Sequence, residues 1–386
     1  MPANTDESNE YNNKNFPLFN KLDSYEHEQI VLCSEPAVGL KAIIAIHDTT
    51  LGPALGGVRM WPYKNEHEAL RDVLRLSRGM TYKAAISGLN LGGGKAVIIG
   101  DSRKDKSEPL FRAFGRYVDS LGGRYITAED VGMEVQNMEW INMETKYVTG
   151  LPQAIGGSGD PSPVTANGIY TGIKACAKKA YGTDSLEGRR VAIQGAGNVS
   201  SHLSHSLHQE GAQLILSDIY EDKVNALAEE VGAEVVAPDE IYKQEMDIFS
   251  PCALGGVVND DTIEQLDCDI IAGSANNVLD DENKHGQMLQ ERNIIYAPDY
   301  VINAGGLINV AGELEGYNKD RARNRASDIY STLFDILTYA EDHDTTTISA
   351  SNTLAEKRIH DVGEIQKRYT SESSLSGHIG ELYQNM

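Results

Sequence analysis

Three ionisable side chains in the first third of the chain stand in unusual company. Lys83 lies in MTYKAA, Lys95 follows three glycines in LGGGKAV, and Asp130 closes the strand-like run ITAED. A lysine set among small apolar residues gives up its charge readily. With glycines and a second cation nearby, it titrates close to neutrality, where a general base works best. The other lysine of such a pair stays charged and holds a substrate carboxylate; the residue types alone leave open which lysine does which. A surface cation with a snorkelling stem is the competing reading, and the glycines crowded beside Lys95 weigh against it.

Further along, VAIQ runs into Gly195-Ala196-Gly197-Asn198-Val199-Ser200, then a helix-like stretch, a turn at Gly211, the strand-like QLILS and Asp218. Together these form a βαβ context for a glycine-rich phosphate loop. Gly195 permits the tight turn, and Gly197 lets backbone approach a pyrophosphate. The helix start at Asn198 and Val199 offers unpaired N–H groups and a positive dipole end. Ser200 stands where the motif carries its third glycine, a place that needs only a small residue. Asp218 can accept hydrogen bonds from both ribose hydroxyls while its charge repels a 2′-phosphate, so NAD is expected rather than NADP. A turn that uses glycine for packing alone does not account for strand, helix and terminal acid together.

Other chemistries lose support. A P-loop needs glycine where Leu89 stands and Ser or Thr where Ala96 stands, and His27-Glu28 is followed by Val31 where a zinc protease has its second His. No nucleophile elbow or calcium loop is present. His202, His205 and His208 share helical spacing, but no carboxylate or cysteine accompanies them, so no metal is expected. Cys33, Cys176, Cys252 and Cys268 form no C-x-x-C pair, which fits a reducing compartment. Lys+Arg 34 against Asp+Glu 57 gives a net charge of −23, which repels nucleic-acid phosphates and anionic membranes. The start MPANTDESNEYNNKN lacks the basic and apolar parts of a signal peptide, and no window approaches the roughly 18 apolar residues of a membrane span. A cytoplasmic protein acting on a small molecule is the expectation, with neither nucleic acid nor membrane as partner.

The elements that must position these residues follow from periodicity. A chain of 386 residues is too long for one ordinary core. Residues 1–15 are polar and poor in branched side chains, and are expected to be a mobile tail. LKAIIAIH from Leu40 has the near-continuous apolar character of a strand covered on both faces. From Glu66 to Met80, Leu70, Val73 and Leu74 recur at helical spacing, and NLGGGKAVIIGD reads as a Gly-rich turn leading into the strand AVII. Between about Asp184 and Glu313, β-branched runs alternate with helix-like stretches, the pattern of a parallel sheet. GGSGDPSPVTANG at 156–168 reads as a hinge or loop near the domain boundary, and from about Asn318 only helices are expected. The fold class is therefore α/β with two domains, an N-terminal α/β domain over 16–150 and a Rossmann-type dinucleotide-binding domain over 151–330. Helices at 331–386 pack partly back on the first domain.

The segments TTLGPALGGVRMWPY, LRLSRGMTYKAAISGLNLGGGK, GRYITAEDVG, GSGDPSPVTA and APDYVINAGGLINVA resemble the Glu/Leu/Phe/Val dehydrogenases, and the similarity runs from about residue 20 to 365. The resemblance implies NAD-dependent oxidative deamination of an L-amino acid to a 2-oxo acid and ammonia in a cleft between the two domains, with 16–150 as the substrate, catalytic and oligomerisation domain. It gives Lys83 the substrate carboxylate, Lys95 the activation of a water that attacks the imine, and Asp130 the proton on the amine. It places Thr165, Asn277 and Asn303 on the nicotinamide side. Leu55, Gly56, Ala128, Leu307 and Val310 line the substrate pocket, which has no cation for a glutamate side chain, and burying that charge unpaired is costly. Ala128 is similar to the branched-chain enzymes of the family, whereas Leu307 replaces their usual valine and is similar to the phenylalanine enzymes. L-Leucine and other branched-chain amino acids are the expected substrates, with phenylalanine as the alternative. A non-catalytic NAD-binding protein is the second alternative, and it leaves Lys83, Lys95 and Asp130 without a purpose. Homo-oligomers are also implied, octamers among the branched-chain members.

Overall fold

The structure, a computed structural model, describes residues 26–368; the expected mobile tail at 1–15 lies outside them. The chain divides into two compact units.

The first unit comprises 26–49, 53–81 and 92–148 of the described residues. Its sheet runs β1 (Gln29–Glu35), β2 (Leu40–Asp48), β4 (Gly92–Ile99), β3 (Ala54–Trp61) and β5 (Tyr125–Glu129), in that spatial order. β1, β2 and β4 pair antiparallel, whereas β3 pairs parallel to both β4 and β5. Ala42 to His47 are all buried, as a strand without polar alternation requires. Helix α1 (Glu66–Ile86) lays Ala69, Leu70, Val73 and Leu74 onto Ile43, Ala45 and Val97 of that sheet. α2 (Glu108–Asp119) starts from a Ser107 side chain that accepts the Leu110 N–H, and α3 (Val135–Asn142) follows β5.

Two local expectations are corrected here. Helix α1 does not stop near Met80 but continues to Ile86, because TYKAAI holds no helix breaker and the chain turns only at Gly88, with φ 69°. The glycines before Lys95 are strand residues, not a turn. A Cβ on Gly93 would lie 2.1 Å from the Thr81 nitrogen, and one on Gly94 would lie 2.7 Å from the Tyr125 ring. The strand is bare because its neighbours press directly on its backbone.

The second unit takes 50–52, 82–91 and the chain from Thr149. Its strands are β6 (Arg190–Gln194), β7 (Gln213–Ser217), β8 (Glu234–Val235), β9 (Ile248–Pro251), β10 (Ile270–Ile271) and β11 (Ile295–Tyr296), all parallel. Their spatial order is β11-β10-β9-β6-β7-β8. Read by sequence this is the 3-2-1-4-5-6 order of a Rossmann-like sheet, which reverses direction between β6 and β9. Helices α4 (Ser162–Tyr181), α5 (Asn198–Gln209), α6 (Glu221–Val231) and α7 (Glu282–Glu291) belong to this unit. The expected loop at 156–168 therefore ends at Pro161, and its second half forms the first turns of α4, where Pro163 stands in the opening turn that proline tolerates. After α8 (Asp299–Ile302) and α9 (Gly305–Ala311) come α10 (Lys319–Ser327), α11 (Ile329–Asp342) and α12 (Thr347–Arg368).

α12 carries Ala355, Ile359 and Val362 against Leu51, Tyr82, Ala85 and Ile86. Arg358 donates to the carbonyls of Ala85 and Leu89 at 3.2 and 2.7 Å, so a cation caps the C-terminal end of the helix that bears Lys83. Among the described residues, no helix is long and apolar enough to cross a membrane.

Candidate active site

In the first unit, Lys95 and Asp130 meet. Leu55 pairs with Gly93 and Val58 with Ala96, which sets Gly57 beside Lys95, and on its other side Gly57 pairs with Ala128. Lys95, Gly57 and Ala128 thus share one row across the sheet, on the face that also carries Leu55. Leu55 and Ala128 are buried, and Gly57 between them leaves the row bare. A Cβ on Gly57 would lie 2.8 Å from the Asp130 Cβ, and one on Gly56 would overlap the Gly94 carbonyl at 1.7 Å. The Gly56 carbonyl accepts from the Tyr125 hydroxyl at 2.7 Å, which fixes this crossing of bare strands.

Among the described residues, Lys95 is the one Lys, Arg, Asp or Glu that is buried as a whole, at 6% exposure. Its Nζ lies 2.8 Å from Asp130 Oδ2. The same oxygen accepts from Arg59 Nε at 3.0 Å, while Arg59 Nη1 reaches Asp72 Oδ2 at 3.0 Å. Tyr63 donates its hydroxyl to that Asp72 oxygen at 2.6 Å. Burial pushes the Asp130 carboxyl up, but the charges of Lys95 and Arg59 outweigh it and hold the group at about 2. Burial works against the Arg59 guanidinium, and Asp130 and Asp72 more than restore its charge. Lys95 thus meets an anion that its own sequence context does not announce. The lysine is the buried end of a half-buried chain of alternating charges.

In the second unit, Lys83 donates to Asn303 Oδ1 at 2.8 Å. The Asn303 amide donates onward to Asn276 Oδ1 at 2.8 Å and to the Ser274 carbonyl at 3.2 Å. Asn277 takes a left-handed turn with φ 52°, and the next amide, of Val278, donates to Asp299 Oδ2 at 3.0 Å. Burial raises the Asp299 carboxyl, opposed by these N–H donors and by Lys83. Thr165 lies in α4 against the start of α9, where a Cβ on Gly305 would lie 2.7 Å from its Cα. Leu307 is buried and Val310 half-buried, one helical step apart on α9. Glu313 ties down the segment before α4 by accepting from Gly150 at 3.0 Å and Ser158 at 2.8 Å.

The glycine loop leaves β6 at the point where the sheet order reverses. Gly195 has φ 109° and donates to the Ser217 carbonyl at 2.7 Å. Asp218 Oδ2 accepts the Ala196 N–H at 2.6 Å and Oδ1 accepts the Tyr220 N–H at 2.8 Å. The acid thus also braces the turn itself. Ser200 is buried and donates to the Gly197 carbonyl at 3.0 Å, which explains why only a small residue fits. Gly197 caps α5 without a side chain, and a Cβ there would meet nothing within 4 Å.

Residues 27–147 match the family described as "Glu/Leu/Phe/Val dehydrogenase, dimerisation domain", and residues 156–221 and 219–366 match "Glutamate/Leucine/Phenylalanine/Valine dehydrogenase". The chain belongs to the Glu/Leu/Phe/Val dehydrogenases. It is 56% identical to leucine dehydrogenase of Bacillus subtilis (strain 168), over 94% of this chain and 98% of that one. It is 49% identical to phenylalanine dehydrogenase of Lysinibacillus sphaericus, over 89% of this chain and 91% of that one. The crystal structure of L-tryptophan dehydrogenase from Nostoc punctiforme superposes with a TM-score of 0.80 at 47% identity, covering 89% of this chain and 99% of that one.

This amino acid dehydrogenase has a loop that suits a dinucleotide. A Cβ at Gly197 would meet none of the described residues within 4 Å, so the α5 N-terminus has open space beside it where an anion such as a pyrophosphate has room. Ile219 and Leu254 stand 74% and 77% exposed just beyond β7 and β9, on either side of the sheet reversal. Sequence reasoning passed over them, and over Arg59, Asp72, Asn276 and Asp299. A charged residue inside the apolar run GGVRMW was the available signal for Arg59. Asp72 carried none, because charged residues between Leu70 and Val73 look like a helix's outer face.

Proposed function

We propose that this dehydrogenase catalyses the reversible NAD-dependent oxidative deamination of L-leucine and other branched-chain L-amino acids to 2-oxo acids and ammonia. Buried Lys95 paired with half-buried Asp130 beside the bare strand at Gly57 carries the reading, because a cation and an anion held together against apolar neighbours serve proton transfer at an amine-bearing carbon. NAD, when bound, supplies the acceptor for the hydride that leaves Cα. Gly195, Gly197, Asn198 and Val199 hold its pyrophosphate and Asp218 its adenosine ribose, with Thr165, Asn277 and Asn303 toward the nicotinamide.

Lys83, oriented by Asn303, holds the substrate carboxylate. Asp130 takes up and returns the proton on the amine. Lys95 removes a proton from water, the resulting hydroxide adds to the imine carbon, and collapse of the carbinolamine releases ammonia and the 2-oxo acid. Leu55, Gly56, Ala128, Leu307 and Val310 receive the side chain. All are apolar, so the γ-carboxylate of glutamate finds no partner and is disfavoured. A methylene in such a pocket is worth about 1–3 kcal/mol, so the specificity is broad. Leu307 favours one alternative, phenylalanine. The enzyme acts in the cytoplasm as a homo-oligomer, an octamer by analogy with the branched-chain members.

The test is the rate of NADH formation with L-leucine, L-valine, L-isoleucine, L-phenylalanine and L-glutamate, each with NAD and with NADP. The aliphatic substrates with NAD are expected to react fastest. A preference for phenylalanine refutes the substrate assignment, and silence with every substrate refutes the activity.

A further inference from the structure

Arg59 makes no appearance in the proton transfers above, yet it is bound more tightly into the site than any of them requires. Its guanidinium lies between two carboxylates, Asp130 on one side and Asp72 on the other, each at 3.0 Å. Its side chain is 23% exposed and the two carboxylates 21% and 17%, so all three are largely withdrawn from water. Two such ion pairs cost desolvation on both sides, and a fold gains little stability from them that apolar packing would not supply. Their gain is geometric. A planar guanidinium held by Asp72, itself fixed by the Tyr63 hydroxyl at 2.6 Å, has one orientation left in which to meet Asp130.

We propose that Arg59 is a positioning residue for amino-acid oxidation: clamped by Asp72 and Tyr63, it holds Asp130 Oδ2 against Lys95 and shares that oxygen with the lysine. The inference rests on the proposed roles of Lys95 and Asp130. The charged and titratable groups around Asp130 are Lys95 from β4, Arg59 from β3 and Tyr125 from β5, the strand that ends one residue before it; Asp72 of α1 and Tyr63 flank Arg59 on the far side. With Arg59 present, Asp130 divides its charge between two cations. With Arg59 removed, the carboxylate loses one of the two cations that hold it low, so it gives up its proton only at higher pH. The carboxylate also gains freedom to rotate, which loosens its aim at the substrate nitrogen.

The experiment compares wild type, Arg59→Met, Arg59→Lys and Asp72→Asn in the full-length enzyme, with L-leucine and NAD over a range of pH. Arg59→Met is expected to lower kcat about 10- to 100-fold, an effect the size of a misplaced proton-transfer group. It should move the rise of kcat/KM to higher pH by about one unit, a tenfold change in proton affinity. The KM for NAD should stay within about twofold, since no cofactor contact is touched. Arg59→Lys keeps the charge and should recover part of kcat and most of the profile. Asp72→Asn should shift both quantities in the same direction by less. An Arg59→Met enzyme with wild-type kcat and an unmoved profile overturns the proposal. If that variant does not fold, an Asp72→Asn enzyme with unaltered kcat and profile overturns it equally. A wild type that fails to oxidise L-leucine refutes the proposed function instead, so the two failures are distinct.

Discussion

Replacing Gly197 by alanine separates the demands of the cofactor from those of the fold. Its backbone φ of −84° suits any residue, and a methyl there would meet no protein atom within 4 Å. The cost to the protein is that of a poorer helix cap, about 1 kcal/mol, which lowers Tm by a few degrees at most in a domain of this size. A bound pyrophosphate would feel the methyl directly. Loss of one charge-assisted hydrogen bond to the α5 amides, about 1.5–3 kcal/mol, weakens NAD binding roughly 10- to 150-fold. Gly195→Ala is the contrasting variant. Its φ of 109° disfavours a side chain, and its Cβ would sit 3.0 Å from Ala253 Cβ, so it should lose stability before any ligand is added. Fluorescence titration with NADH and thermal unfolding with and without NAD read the two quantities apart. Gly197→Ala should unfold near the wild-type temperature and lose the stabilisation that NAD confers on wild type. If it binds NAD within twofold of wild type, the pyrophosphate does not lie over this helix.

Lys95→Ala should lower kcat on the order of 10²–10⁴-fold while NAD still protects the protein against heat; near-normal turnover removes the lysine from catalysis. Asp218→Ser should narrow the preference for NAD over NADP, as seen in the ratio of kcat/KM values, and an unchanged ratio rules out the ribose contact. Because Asp218 also accepts the Ala196 and Tyr220 amides, this variant should melt lower as well. The Asp130 carboxyl, held at about 2 when folded, lies below its value of about 3.9 in an unfolded chain, so it contributes stability above roughly pH 4 that fades as pH falls through 2. That contribution is of the order of 2 kcal/mol, and the difference in Tm between wild type and Asp130→Asn should shrink over this interval; a constant difference contradicts the ion pair.

The α/β class, the parallel sheet and the family were legible because each is written locally. VAIQ, QLILS and DIFS are short β-branched runs, and they became β6, β7 and β9 of a parallel sheet. The partners of the charged residues were not legible, since they come from distant segments. Arg59 and Asp130 are 71 positions apart, and Lys83 and Asn303 are 220 apart, so no periodicity links them. Element ends were missed for a related reason. The chain turns at Gly88 after α1, and Arg358, from the far end of the chain, donates to the Ala85 and Leu89 carbonyls there, a contact that TYKAAI cannot announce.

The glycines show how one residue type serves two purposes. At Gly56, Gly57, Gly93 and Gly94 a Cβ would meet protein atoms at 1.7, 2.8, 2.1 and 2.7 Å, so protein already fills the space a side chain would take. These four let β3 and β4 run close enough beneath α1 and Tyr125 for Lys95 and Asp130 to meet in an apolar row. At Gly197 the space is open, and the proposed pyrophosphate has room there. The first kind of glycine builds a rigid seat for Lys95 and Asp130, since a bare strand pressed on both sides has little room to move. The second kind leaves a gap on an otherwise closed turn, braced by Asp218. Catalysis by hydride transfer asks for both: acid–base groups that do not shift between steps, and a cofactor that can enter and leave.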